Sequence, residues 1–477
     1  ATLLLSFGND FIETGTSPVA HSKGFSSMSA VDDAGGGKGR FVYLGPRLSL
    51  TGLNADEWIP IQSGSEAAVA LGMASAIAGQ GAAGPYGNLL QAYDPASAAA
   101  AAGVSVEAIE GLAERFASEE SSLAMGPGAG AHHRNTTAAN LAVMILNHVA
   151  GNVGTTVFYE GVSSAATTSY SDIESVIDAM ASGDIGVVMV HGTNPAYSLP
   201  AASGFVEAFE QVPYKVSFAS AMDETSDLCD LVLPDSHFFE SWGDSTPRAG
   251  ALAIQQPVMQ QVSTFDSKPS GDAMLAVLGH LGNEPEAATF YDYLRARHEA
   301  AYDGSSGDFE TYWHQTLRVG TTELGAVDEG AAQLRAPDTA LSFDTPLLDG
   351  SDDGLTLLVH PSGRFGGGEF SNSPWMQELP DPVSKITWHS WLEINPHTAE
   401  ERGIRNGDIV SVTSPHGSLE VPVWLYPGIR EDTVALAMGG GHTAMGRYAD
   451  GNGVNALGLL PAEAEQPSGA LVTVATK

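Results

Sequence analysis

GVVMVHGTNPAYSLPAASGFVEAFEQVPYKVSFASAMDETSDLCDLVLPDSHFFESWGDSTPRAG, residues 186–250, is the stretch whose reading decides the fold. Val187–Val190 is a short apolar run closed by Gly192 and Asn194-Pro195, the pattern of a buried parallel strand that breaks into a loop at its carboxyl end. A helix is expected next: Ser203 can cap it, Val206 and Phe209 share a face, and Pro213 stops it. Two further short apolar runs, 214–218 and 228–233, end in the polar loops DETSD and PDSHFFESWGD. Three strand ends thus deliver loops to one edge, where open parallel sheets hold their ligands. That placement nominates Asn194, Asp223, Glu224, Asp235, His237 and Glu240 as site residues.

The 477 residues have room for roughly two to four domains. No run approaches the ~18 apolar residues of a membrane span, and the longest candidate, 141–150, carries Asn147 and His148, so a soluble chain is expected. No positively charged segment precedes an apolar stretch, and Ala1 opens directly onto TLLLSF, from which the natural chain is expected to begin upstream. With 20 Lys and Arg against 57 Asp and Glu, the net charge is −37. A nucleic-acid or anionic-membrane surface needs clustered cations, so both partner classes are disfavoured. Two readings of the acidity remain: a surface adapted to high salt, and an attractive face for a basic electron-transfer partner. The single cysteine, Cys229, can form no internal disulfide, and a zinc or cubane cluster takes about four protein ligands. Inside DLCDLVLP it reads as a small buried apolar residue.

Along the chain, residues 1–118 read as a partial α/β domain. Strands at 3–7 and 41–44 end in Gly8-Asn9-Asp10 and Gly45-Pro46-Arg47. Ser65-Glu66 opens a helix with the apolar stripe Ala67, Val69, Ala70, Met73 and Ile77, and 106–118 is amphipathic. A second α/β domain is expected over 119–345. Its strand at 123–125 runs into GPGAGAHHRN, which includes Gly128, and then a helix at 136–149. A glycine-rich loop between strand and helix offers N–H groups to an anion. His132 and His133 are adjacent, point in different directions, and read as hydrogen-bonding groups rather than metal ligands. Residues 336–353 read as a linker within the boundary to an all-β unit, 346–477, with strands at 355–359, 409–413, 419–425, 434–438 and 471–474.

A strand followed by G-x-N-P, a D-E-T loop, D-L-V-L-P and E-x-W-G-D, in that order, resembles the molybdopterin oxidoreductase (dimethyl sulfoxide reductase) superfamily. INPHTAEERGIRNGDIVSVTSPHGSLEVPVWLYPGI is similar to its C-terminal β-barrel, molybdopterin dinucleotide-binding-like domain. Four phrases narrow the likeness: the opening SFGNDFIETGTSPVAHSKGF, Glu240-Ser241-Trp242-Gly243-Asp244, WMQELPDP at 375–382 with KITW at 385–388, and GGGHTAMGRYADGNGVNALGLLP at 439–461. They resemble the molybdopterin-oxidoreductase-like part of the large iron–sulfur subunit of bacterial alternative complex III, a quinol:electron acceptor oxidoreductase.

The resemblance implies parallel-sheet, dinucleotide-binding-like α/β domains followed by a β-barrel. Gly8, Asn9, Arg47, Gly128, Gly192, Asn194, Asp223, Asp235, His442 and Arg447 stand at the pterin-pocket positions. Because the metal-ligand region of the molybdenum enzymes is missing and no CxxC is present, the resemblance implies a vestigial pocket and no cofactor in this chain. The 4Fe–4S and 3Fe–4S clusters and haem c are then expected in partner chains or a missing domain. Expected partners are an iron–sulfur ferredoxin-like domain or subunit, multihaem and monohaem cytochrome c subunits, and an integral membrane quinol-binding subunit, with a terminal oxidase a further candidate. The expected location is the periplasmic face of the bacterial inner membrane, in a respiratory or photosynthetic chain. The alternative is a catalytic molybdenum or tungsten bis-pterin subunit whose metal-ligand region lies outside this chain. The loop 441–455 is expected to close a collapsed or filled cleft, with Arg447 bonded to a backbone carbonyl or to a carboxylate such as Asp223, Glu224 or Asp235.

Overall fold

Strand β1 (Leu3–Phe7) is buried along its whole length because it is paired on both sides. β2 (Arg40–Leu44) and β4 (Ser122–Met125) flank it in parallel, and β3 (Glu57–Ile59) extends the sheet beyond β2. The computed structural model describes residues 1–31, 37–79, 84–128, 134–158, 168–248, 250–283, 285–304, 307–323, 341–351, 354–462 and 470–477. β4 and the helix Thr136–Val149, which the sequence assigns to a second domain starting at 119, complete this first sheet instead. β4 is an edge strand, and the buried amide of Asn147 stands in for its missing neighbour. Asn147 Oδ1 accepts from Ala124 N (3.0 Å) and Nδ2 donates to Ala124 O (2.8 Å). A polar residue interrupts the apolar run at 141–150 because unpaired backbone groups in a core are costly.

The helix Glu66–Ala78 is buried on nearly every side, beyond the expected stripe. Gly72 allows this: a Cβ there would come within 2.4 Å of the Cβ of Ala98 on the helix Pro95–Ala102. The stretch read as a linker is in part core. Phe343 is 3% exposed and meets the Tyr93 ring edge-on at 6.1 Å.

Residues 1–158, 197–205 and 334–477 form one unit, and residues 159–196 with 206–333 form another. In the second, β5 (Val187–Val190), β6 (Tyr214–Ser217) and β7 (Leu231–Val232) form a parallel sheet in that order. β5 is less buried than its composition suggests: Val187 and Met189 are exposed, as are Tyr214 and Leu231. Val190, Lys215, Val216 and Ser217 are buried, so burial follows the central strand β6 rather than one face of the sheet. β8 (Gly243–Arg248), β9 (Ala251–Gln255) and β10 (Thr321–Glu323) form an antiparallel sheet that the sequence did not reveal. Aromatic residues pack among the helices of this unit, with Trp313 buried and Tyr302 stacked on Tyr312 at 4.6 Å.

The first unit ends in a closed six-stranded barrel: β11 (Leu355–His360), β12 (Leu392–Ile394), β13 (Ile409–Ser414), β14 (Gly417–Leu425), β15 (Thr433–Ala437) and β16 (Ala470–Thr476). The barrel order is β11-β15-β12-β14-β13-β16. The loop after β2 docks on it through Leu48 N to Gly428 O (2.8 Å), Arg430 N to Pro46 O (2.9 Å) and Tyr426 Oη to Leu48 O (2.6 Å). No single described helix is long and apolar enough to cross a membrane.

Candidate functional site

The carboxyl edge of the first sheet gathers Gly8, Asn9, Arg47 and Gly128. Gly8 takes a positive φ of 73° and turns the chain out of β1. Asn9 is then fixed by Ser6, whose Oγ accepts from Asn9 N at 2.9 Å, and Asn9 Nδ2 donates to Gly126 O at 3.0 Å. Gly128 lies against Asn9, with a hypothetical Cβ 3.3 Å from Asn9 Cα. Arg47 is buried against Glu393 of β12: Nη2 donates to Oε1 at 2.8 Å, and Nε donates to Oε2. Burial pushes the guanidinium down, but the charge and hydrogen bonds of Glu393 outweigh it and hold Arg47 above its ordinary value.

Three carboxyls that the sequence did not nominate share this edge. Asp10 is buried with Ser49 and Tyr43 and pushed up by burial, with Ser49 and Arg47 pulling it down. Glu13 is pushed up to about 7, first by burial and then by Asp10, and its Oε2 accepts from Leu50 N at 3.0 Å. Glu66, at the start of its helix, is pushed up to about 7 by burial, and its Oε1 has no partner. A carboxylate inside an otherwise apolar buried helix was the one visible signal for Glu66.

His442 is 1% exposed and stacks on Tyr197 at 3.7 Å, while Tyr197 Oη donates to Gly440 O at 2.8 Å. Gly368, at φ +128°, leaves room for both rings. Arg447 does not reach a carboxylate or a carbonyl. It is exposed, with its guanidinium carbon 4.5 Å from the Tyr448 ring centroid and Nη2 bonded to the Tyr448 hydroxyl. The loop's turn is closed instead by Asp450, whose Oδ1 accepts from Met445 N and Gly446 N (2.7 and 2.9 Å). The glycines of this loop approach protein: a Cβ at Gly440 would meet Ser390 Oγ at 2.5 Å, and one at Gly441 would meet Asn455 N at 2.3 Å. Between the loops after β1 and β11 lies an open cavity of about 640 Å³ lined by Glu13, Thr14, Arg364, Gly366, Glu369 and Phe370, among others. The first unit is therefore filled around His442 and open beside Glu13.

In the second unit the nominated residues fall into separate hydrogen-bonded sets: Asn194 with Glu224, Asp235 with His191, and His237 and Glu240 each with a backbone amide. Gly192 turns the chain after β5 at φ +67°. Asn194 Oδ1 accepts from Thr225 N (3.1 Å) and Oγ1 (2.7 Å), and its Nδ2 donates to Glu224 Oε2 (2.7 Å). Asp223 caps the turn Glu224–Asp227 by accepting from Ser226 N and Oγ (2.7 and 2.6 Å). Asp235 Oδ1 accepts from Ser270 N (2.8 Å), and Oδ2 lies 2.9 Å from Nε2 of His191, a residue that sequence reasoning missed. Ser270 Oγ meets that same nitrogen at 3.1 Å. A nucleophile relay needs the serine and the carboxylate on different ring nitrogens, so this trio ties loops together and does not build a base. His237 Nδ1 accepts from Phe239 N, and Glu240 Oε1 accepts from Val262 N (3.2 and 3.1 Å). Cys229 is half-buried rather than buried, its Sγ 3.3 Å from Thr225 O. His132 and His133 lie outside the described residues, among which no three His, Cys, Asp or Glu side chains form a metal-ligand set.

The family described as "Molybdopterin oxidoreductase" matches residues 5–268, and that described as "Molydopterin dinucleotide binding domain" matches residues 375–465. The chain is 31% identical to the "Menaquinone reductase, molybdopterin-binding-like subunit" of Nitratidesulfovibrio vulgaris, over 91% of this chain and 64% of that one. It is 25% identical to the molybdopterin-containing subunit of the arsenate respiratory reductase of Shewanella sp. strain ANA-3, over 56% of this chain and 40% of that one. It thus spans less than two thirds of these relatives. Acetylene hydratase from Pelobacter acetylenicus shares the fold, with a TM-score of 0.72 over all of this chain and 78% of the other at 14% identity.

These are domains of the kind that bind a molybdopterin dinucleotide, which stands against the expectation of no cofactor. A dinucleotide's phosphates need cations and free N–H groups. Here Arg47 is neutralised by Glu393, Asn9 is spent on Gly126, and the close approach permitted by Gly440 and Gly441 is taken by Ser390 and Asn455. The open cavity carries Glu13 and Glu369. Among the described residues, Arg47, Asn9 and the Gly440–Gly441 turn, as folded, do not fit the phosphates of a dinucleotide.

Proposed function

Since the chain belongs to the molybdopterin oxidoreductase family, we propose that it is a cofactor-free scaffold, whole or part, of a quinol:electron acceptor oxidoreductase of the alternative complex III type. In this reading it holds iron–sulfur and haem subunits in place at the periplasmic face of a bacterial inner membrane. Quinol is oxidised in an integral membrane partner, and electrons pass through iron–sulfur clusters to c-type haems on other chains. The observation that carries the reading is the Arg47–Glu393 pair, which places a carboxylate where a phosphate would need the arginine. The relative named as a menaquinone reductase subunit supports the link to quinones.

The second reading, a catalytic molybdenum or tungsten bis-pterin subunit whose metal ligand lies on other residues, is favoured by the matched dinucleotide-binding domain and the arsenate reductase relative. One preparation decides between them. Native purification is expected to bring haem-containing and membrane subunits with the chain, with neither molybdenum, tungsten nor an oxidised-pterin fluorescence at one per chain. Stoichiometric metal and pterin would overturn the scaffold reading, and isolation of the chain alone would overturn the complex.

A further inference from the structure

The cavity between residues 13–15 and 361–370 holds groups that the fold leaves unused. Arg364 lines it while only 3% exposed. Its guanidinium lies over Phe365 and Trp391 (4.6 and 5.8 Å), Nη1 donates to Leu379 O (3.0 Å), and Nε is buried without an acceptor. The opposite charge is also at hand. Glu13 Oε1 lies beside Gly363 at the cavity wall, and Glu369 accepts from Gly367 N through Oε2 (2.8 Å) with Oε1 beside Gly366. Phe370, 56% exposed, and Met376 complete the lining. Next to Met376 on the short helix Pro374–Glu378, Trp375 is 84% exposed, and Leu379 is exposed beyond it.

We infer that this groove docks a segment of a partner protein carrying an arginine or lysine among apolar residues. The cation sits against the Glu13 and Glu369 carboxylates and over the exposed Phe370 ring, and the apolar residues of the segment reach the exposed Trp375 and Leu379. A phosphate or an acidic peptide would meet Glu13 and Glu369 instead, and the net charge of −37 sets the same preference at long range. Glu13 is faced by Asp10, Arg47 and Asp381, and shares the cavity with Arg364 and Glu369. Its proton leaves at about pH 7, so a cation is held more tightly as pH rises from 6 to 8. This docking goes beyond the scaffold reading, whose assays of metal and pterin can fail without it.

The full chain titrated with fluorescein-labelled, end-blocked pentapeptides of the pattern Gly-Leu-Xaa-Leu-Gly tests it by anisotropy at low salt. With Arg or Lys at the centre, saturable binding with a Kd below about 1 mM is expected, and at least tenfold weaker binding with Glu or Gln. Glu369→Gln and Trp375→Ala, both exposed and so expected to keep the thermal midpoint, each weaken the Arg peptide threefold or more. Glu13→Gln removes the tightening between pH 6 and pH 8. Equal binding of the Arg and Glu peptides, no saturation, or binding unmoved by both surface substitutions would overturn the inference. Preference for the Glu peptide that is lost in Arg364→Met would overturn it as well, in favour of an anion site.

Discussion

The two parallel sheets of this protein end in the same way topologically and differently in solvent. At the edge of β1–β4, Arg47 and Glu393 are 8% and 2% exposed, and Asp10, Glu13 and Glu66 are all pushed up by burial. At the edge of β5–β7, Asn194, Glu224 and Asp235 are half-buried and His191 is exposed, each held by ordinary hydrogen bonds. Topology delivers polar loops to both edges. Burial decides whether those groups become strongly coupled charges or loop ties screened by water.

The largest break in this contrast is expected at the dry edge. Arg47→Met strands Glu393 in the core and should cost about 3–5 kcal/mol in urea unfolding, whereas Arg47→Met combined with Glu393→Leu should recover most of it. A small effect of the single substitution would mean that the edge is wet. Next is the pH dependence. Glu66 titrates at about 7 in the folded chain against 4.5 unfolded, so between those values the folded state binds more protons and stability falls as pH rises. The loss should reach roughly 3 kcal/mol by pH 8. Glu66→Gln should abolish this share of the loss, leaving pH 5 stability nearly unchanged while raising pH 8 stability; equal shifts at both pH values would contradict it.

At the wet edge, Asn194→Ala removes bonds to Thr225 and Glu224 and should cost about 1–3 kcal/mol. The signature is faster hydrogen exchange at 223–228. Arg447→Ala, at an exposed residue resting on Tyr448, should stay within about 0.5 kcal/mol. A larger loss would show that Arg447 has a buried partner after all.

The legible parts were those written locally. Val187–Val190 and Thr136–Val149 are found where their periodicity and turn residues put them. The β8–β9–β10 sheet escaped because GDSTPR has neither an apolar run nor alternation, and its pairing with Thr321–Glu323 is made across some 70 residues. Among site residues, Asn194, Asp223 and Asp235 were readable as strand-end polar groups. Glu393 sits in the apolar-looking strand LEI and looked like any surface acid.

The sequence by itself determined the order of the locally patterned elements, the parallel edges, five of the barrel's six strands and the family, because short-range patterns and ordered motifs carry them; β12 was missed. Only the tertiary structure decided that Arg47 meets Glu393, 346 residues away. It also decided that β4 completes the first sheet, that Arg447 turns to Tyr448, and which carboxyls lose their water. Each of these depends on which distant surfaces exclude solvent, and a residue's letter does not encode the dielectric in which it will sit.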